Sequence, residues 1–316
     1  MSINNLEEIV RRVITELNID DAPAPAREPS PAKDPESRFG GSDDTESRFG
    51  ASHATAEAPS GGDGEIPDIR SIDYRMVYEV PNAKHPDEFA RIKARTWARL
   101  GQGRSGPRYK TAGLLRFWAD NASAMDAVFT DVAPELLDDL NLFTVQTKCS
   151  SKDEYLTRPD LGAQFDDEAI AEVKKRCQAK PQVQIYVSDG LSSTAVEANV
   201  RDLLPALEQG LKLHGLSVGT PFYVKYGRVR SMEPIAEALG STVTCVLLGE
   251  RPGLATPESL SAYLAYNARV GMPESERNCV SNIHSEGTPA VEAGAHIADL
   301  IAEMIKQKAS GIKLKM

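Results

Sequence analysis

The sequence predicts an α/β protein: a doubly wound, mostly parallel, Rossmann-like sheet, preceded by a small helical subdomain and by a disordered N-terminal tether that begins with an amphipathic helix. Three observations carry this. From about residue 142 onward, short apolar runs alternate with segments of helical period, the succession that builds parallel sheets. The run VTCVLLG at residues 243–249 is apolar without alternation, as in a strand covered on both faces. Residues 20–67 are rich in Pro, Ala, Gly, Ser and acids and nearly empty of large aliphatics, so they cannot bury enough surface to offset the entropy of ordering.

The chain opens with NNLEEIVRRVITELN, which places Ile3, Leu6, Ile9, Val10, Val13, Ile14 and Leu17 on one stripe of a helix over residues 1–19. Asn4 with Glu7, or Asn5 with Glu8, supplies a capping-box-like start. Within the linker ESRFG occurs twice, at residues 36–40 and 46–50, which reads as a local duplication because two copies do not make a solenoid. A helix carried on so polar a linker must find its partner elsewhere, and therefore reads as an address or docking peptide.

Residues 68–147 form the expected helical subdomain, with helices over PDEFARIKARTWARL, YKTAGLLRFWADNASAMDAVF and APELLDDLNL. Between the first two lies GQGRSG, residues 101–106, a literal G-x-G-x-x-G. A dinucleotide fingerprint needs a strand before it and a helix opening inside it, and here a helix precedes and Pro107 follows. Arg104, Arg108 and Lys110 are instead expected to anchor the loop to acids or to a partner surface.

Residues 148–316 make up the α/β domain. Strands are expected at LFTVQT, just before the boundary, then at QVQIYVSDG, TPFYVKYGRV, STVTCVLLGE and NCVSNIHSEG. Helices are expected from Asp166, through VRDLLPALEQGLKLHG, over MEPIAEALG, over PESLSAYLAYN, and from Thr288 and Pro289 to about Lys308. Thr256 as N-cap, Pro257 at the first helical position and Glu258 in the first turn make GERPG a strand-to-helix loop. Asp189 and Gly190, Arg228 and Val229, Glu250 and Arg251, and residues 279–287 then fall at the carboxyl edge, where open α/β sheets bind ligands.

Composition excludes several classes. The 316 residues include 41% hydrophobic ones and carry a net charge of -10, which argues against general nucleic-acid or anionic-membrane binding. No apolar run reaches spanning length and no secretory signal precedes the body, so a cytoplasmic setting is expected. Cys149, Cys177, Cys245 and Cys279 form no C-x-x-C pair, so neither a disulfide framework nor a metal site is expected. No G-x-S-x-G, P-loop or H-E-x-x-H occurs, and no catalytic set stands out. His284 in NIHSEG is one residue away from the D-x-H-x-x-G pattern of cobalt-ligating histidines, but only one helix follows it, and Asn orients a metal-bound imidazole less well than Asp.

YLTRPDLG (155–162), VSDGLSS (187–193), VGTPFYVKYGRV (218–229), GERPGL (249–254), SNIH (281–284), GTP (287–289) and QKASGI (307–312) together resemble the small subunit of ethanolamine ammonia-lyase, in consistent order from Gly103 to the C-terminus. The resemblance implies an adenosylcobalamin-dependent lyase that converts ethanolamine to acetaldehyde and ammonia by a radical route. Substrate and catalytic groups then belong to a TIM-barrel large subunit, and the small subunit covers the cofactor at their interface. Carried over position by position, the cobalamin contacts fall on Val229, Glu250 and Cys279; no catalytic or metal-ligating residue falls on this chain. Because the cofactor brings its own dimethylbenzimidazole, a base-on mode is expected. Residues 1–19 resemble peptides that dock enzymes to bacterial microcompartment shells, which makes shell proteins a second expected partner and the microcompartment lumen the expected location. Two rivals from other classes are a nucleotide-binding oxidoreductase subunit on the same edge and a non-catalytic interaction protein; the colour of the partnered protein separates them.

Overall fold

In the computed structural model, residues 68–69 and 72–315 are described; the expected amphipathic helix over residues 1–19 and its linker over residues 20–67 lie outside the described residues. Helix α1, Pro86–Lys93, is shorter than its pattern suggests. The reason is its last residue: Lys93 is buried, and its ammonium donates to the carbonyls of Leu100, at 2.6 Å, and Val77. Residues 94–100 fold back to bring those acceptors in, so the helix cannot continue.

GQGRSG belongs to a two-stranded antiparallel hairpin, β1 (Arg104–Ser105) with β2 (Arg108–Tyr109), turning at Gly106 with φ 59°. Its backbone is held by Glu79, which accepts from Gly103 N at 2.7 Å, and Arg104 lies over the Tyr109 ring. No helix opens inside it, so the phosphate-cradling geometry of a dinucleotide loop is missing. Helices α2 (Thr111–Phe129) and α3 (Pro134–Asp139) lead into the sheet.

The sheet elements follow in order: β3 (Phe143–Gln146), α4 (Lys152–Thr157), α5 (Asp167–Arg176), β4 (Val183–Ser188), α6 (Ser193–Leu213), β5 (Phe222–Lys225), α7 (Met232–Leu239), β6 (Val243–Gly249), β7 (Leu260–Tyr266), β8 (Arg277–Ile283) and α8 (Ala290–Gln307). The six strands lie in the order β3-β5-β4-β6-β7-β8. The first four are parallel, and β7 and β8 are each antiparallel to their predecessor.

Both sheet faces are covered, which is why β4 and β6 are buried at every position. On one face Ile185, Val187, Cys245 and Leu247 meet α6 and α8 through Val200, Leu203, Ile297 and Ile301. On the other, Tyr186, Phe222, Val246 and Leu248 meet α5 and α7 through Val173, Ile235 and Leu239. Helix starts follow local chemistry: Ser192 caps α6 by accepting from Ala195 N, and Asp166 caps α5 by accepting from Ala169 N.

One element is corrected. PESLSAYLAYN is not a helix; Leu260–Tyr266 is strand β7, paired antiparallel along the whole of β6. Thr256 Oγ1 accepts from Glu258 N at 3.1 Å in a local turn, and Glu250 N donates to Ser259 O at 3.0 Å, which closes a hairpin instead of opening a helix. Leu260, Ala262 and Leu264 pack on the α6–α8 side, while Tyr263 and Ala265 face the α7 side, a period of two that reads only once β6 is in place.

Candidate functional site at the carboxyl edge

The loops after β4 and β6 approach backbone to backbone at their glycines, and Ser192 Oγ also donates across to Pro257 O at 2.6 Å. Gly190 has φ 54°, and a Cβ there would collide with the Gly249 carbonyl; a Cβ on Gly249 would collide with the carbonyls of Asp189 and Ser192. The contact is sealed by Leu191 N donating to Gly249 O at 2.9 Å.

Asp189 lies under this junction, fully buried. Burial pushes its carboxyl up, and Lys152 opposes that with an ammonium at 3.2 Å. Its Oδ1 also accepts from Tyr226 N at 2.8 Å, which ties β4 to the turn after β5. Lys152 in turn sits over the rings of Tyr155 and Tyr226, which stack with centroids 5.8 Å apart.

Val229 opens the 3-10 turn Val229–Ser231 that leads into α7 and packs against the core beneath that helix. It lines a cleft of about 810 Å³ together with Phe165, Arg228, Arg230, Glu233 and Pro234. Glu233 is buried and is held by Arg277, by Arg230 at 3.3 Å, and by Gly271 N at 2.8 Å.

Glu250 follows β6 directly, and its Oε1 accepts from the Tyr263 hydroxyl at 2.6 Å. Cys279 is not at the strand end as the sequence reading has it; it lies within β8, in register with Tyr263. The residue is exposed. Burial around its sulfur pushes the thiol up, and the neighbouring Tyr263 hydroxyl partly offsets this. Tyr263 therefore joins Glu250 and Cys279 into one group, and its own phenol is raised by burial and by the Glu250 carboxylate. Val229 packs against the same core cluster as Tyr263. Reasoning from sequence missed Tyr263, because its segment was read as helix, and Lys152 and Asp189 as a pair; the only signal for the pair is their place beside glycine-bearing motifs. His284 sits in a turn where its Nδ1 accepts from Glu286 N at 3.3 Å.

Residues 86–315, from α1 through α8, match the sequence profile of the ethanolamine ammonia-lyase light chain (EutC). The chain belongs to the ethanolamine ammonia-lyase light-chain family. Among its relatives is the ethanolamine ammonia-lyase small subunit of Clostridium tetani, 58% identical over 254 residues, 80% of this chain and 86% of that one. The small subunits of Clostridium perfringens (54% over 250 residues, 79% and 85%) and Listeria monocytogenes EGD-e (51% over 253 residues, 80% and 86%) are similar to it as well. The light-chain match begins at residue 86 and so takes in α1 and the hairpin, ahead of the Gly103 at which the motif resemblance starts. Among the described residues, no helix is long and apolar enough to cross a membrane.

Proposed function

We propose that this light chain is the cofactor-covering subunit of an adenosylcobalamin-dependent ethanolamine ammonia-lyase, paired with a catalytic large subunit, with Val229, Glu250 and Cys279 facing the cofactor. The observation that carries this is the open face of β7 and β8. Cys279 and Ser281 are exposed there, next to the Glu250–Tyr263 pair, and beside Val229 the buried Arg228 Nε has no hydrogen-bond partner.

These groups fit cobalamin. A corrin rimmed with carboxamides needs many neutral donors and acceptors spread over a shallow surface, each worth about 0.5 to 1.5 kcal/mol net. Glu250 offers the second oxygen of its carboxylate, Arg228 offers its unsatisfied Nε, and Val229 and Cys279 contribute main-chain groups and shape. When bound, the cofactor supplies the radical that converts ethanolamine to acetaldehyde and ammonia. This chain's residues bind and orient it and, with the large subunit, exclude water. Because adenosylcobalamin brings its own dimethylbenzimidazole, the mode proposed is base-on. Residues 1–19 then serve as the address to a microcompartment shell, with the lumen as location.

The deciding experiment is reconstitution. The chain alone releases no ammonia from ethanolamine and gains activity only with the large subunit and adenosylcobalamin; turnover by the isolated chain overturns the two-subunit reading. For the axial base, paramagnetic resonance of the Co(II) state with nitrogen-15 protein and unlabelled cobalamin shows nitrogen-14 splitting. A nitrogen-15 pattern lost in His284→Ala overturns the base-on mode.

A further inference from the structure

The turn joining β5 to α7 is held far more tightly than a connection requires. Tyr226 takes the left-handed region with φ 61°, an outlier for a bulky residue that persists only where surroundings over-determine it. Each backbone group of the next step has its own partner from a different element. Tyr226 N donates to Asp189 Oδ1 at 2.8 Å, and Tyr226 O accepts from Thr147 Oγ1 at 3.0 Å. Gly227 N donates to Ser188 Oγ at 3.1 Å, and Gly227 O accepts from the Tyr155 hydroxyl at 3.1 Å. Arg228 N donates to Gly162 O at 2.8 Å, and a Cβ on Gly227 would come within 2.6 Å of Ser188 Oγ, so the turn is both tied and closely packed. The tie through Asp189 places a carboxyl in the core, where Lys152 pairs with it at 3.2 Å.

We propose that Thr147, Tyr155, Ser188 and Asp189 are positioning residues for the cofactor: they hold the turn at residues 226–228 in one shape so that Val229 is presented to cobalamin in a fixed place. This rests on the cofactor reading above. A pre-set turn spares the complex the entropy of ordering it on binding, so loosening the ties weakens affinity without removing any contact. Asp189 sets the start of the turn, Tyr155 and Thr147 set its carbonyls, and the Lys152 ammonium pairs with Asp189 from the other side.

The test uses the complex with the large subunit and cyanocobalamin as probe, read by absorbance titration, with amide exchange of the turn measured before and after saturation. Tyr155→Phe and Thr147→Val are each expected to raise the Kd about three- to tenfold. Exchange at residues 226–228 should quicken in the cofactor-free complex and return to the parent level on saturation. Asp189→Asn, which keeps an acceptor for Tyr226 N, should bind more tightly than Asp189→Ala. Val200→Ala, in α6 on the opposite sheet face, is the control for lost stability. Parent-like Kd values in Tyr155→Phe and Thr147→Val, or an equal rise in Val200→Ala, overturn the positioning role. An unchanged Kd in Val229→Glu overturns the cofactor reading itself, so the two failures are distinguishable.

Discussion

Removing the Glu250 carboxylate tests a hydrogen bond seen in the structure together with the cofactor role proposed for the same side chain. Its Oε1 holds the Tyr263 hydroxyl at 2.6 Å, and its other oxygen is the acceptor proposed for the cofactor. A hydrogen bond to a charged group contributes about 1.5 to 3 kcal/mol, and Glu250→Ala also strands a half-buried phenol, so this substitution should cost about 2 kcal/mol of chain stability. Tyr263→Phe removes the donor but leaves a carboxylate that water can reach, and should cost about 1 kcal/mol. In a double-mutant cycle by urea denaturation the pair should couple by about 1 to 2 kcal/mol, the double variant being less damaged than the sum of the single ones. Cofactor affinity separates the second role. With cyanocobalamin and the two-subunit complex, Glu250→Ala should weaken binding about tenfold to a hundredfold, because cofactor amides lose their acceptor. Tyr263→Phe, which keeps the carboxylate, should weaken it by no more than about threefold. If Tyr263→Phe weakens binding as much as Glu250→Ala, the carboxylate acts only through the tyrosine and Glu250 is not a cofactor acceptor.

Gly190→Ala should destabilise the chain by about 2 to 5 kcal/mol, the sum of a left-handed alanine and a collision with the Gly249 carbonyl, read from the denaturation midpoint; a change under about 0.5 kcal/mol contradicts the close approach. Iodoacetamide at pH 8 should label Cys279 alone of the four cysteines, more slowly than a free thiol because its thiol is pushed up, and cyanocobalamin in the complex should protect it; rapid labelling of Cys149, Cys177 or Cys245 would show that the edge opens. Glu276 is held below the ordinary glutamate value of 4.5 by Lys313 and Arg269, so its contribution is present above that value and fades as pH falls through the lowered one. The protection factors of the amides at residues 311–313, taken relative to the intrinsic exchange rate at each pH, should therefore fall in acid, and Glu276→Gln should remove that pH dependence of protection. Deleting residues 1–18 should leave turnover and cobalamin affinity intact and abolish co-sedimentation with co-expressed shells, and Val10→Glu with Val13→Glu should do the same; loss of turnover would make the segment part of the lyase core.

Strands and helices whose signals are local were legible. The apolar run of β6, the helical period of VRDLLPALEQGLKLHG in α6 and the Thr288–Pro289 entry to α8 each specify an element with nearby residues only. Strand β7 was not legible, because TPES is a good helix entry and LSAYLAY carries no strong period; its conformation is decided by pairing with β6, across a turn whose closure depends on Ser259. The end of α1 was hidden for a similar reason, since Lys93 looks like a surface residue until the carbonyls that surround it are placed. The glycine-bearing motifs after β4 and β6 do meet at the carboxyl edge, and the close approach of Gly190 and Gly249 is the physical basis of that signal. The Tyr263 bridge between Glu250 and Cys279 was invisible, since it depends on the register of two antiparallel strands.

The bonds that hold the turn after β5 also set when it can form. Thr147 and Tyr226 are 79 residues apart, Tyr155 and Gly227 are 72 apart, and Asp189 and Tyr226 are 37 apart. Contacts of such range come late, because the loops they close must first lose their freedom. The β7–β8 hairpin is local and can form early, whereas the turn waits for β3, β4 and β5 to dock side by side. A nascent or partly folded light chain therefore has its outer hairpin before it has its Val229 edge. On the cofactor role proposed for Val229, uptake of the vitamin would then follow completion of the sheet and act as a quality check on the chain that receives it.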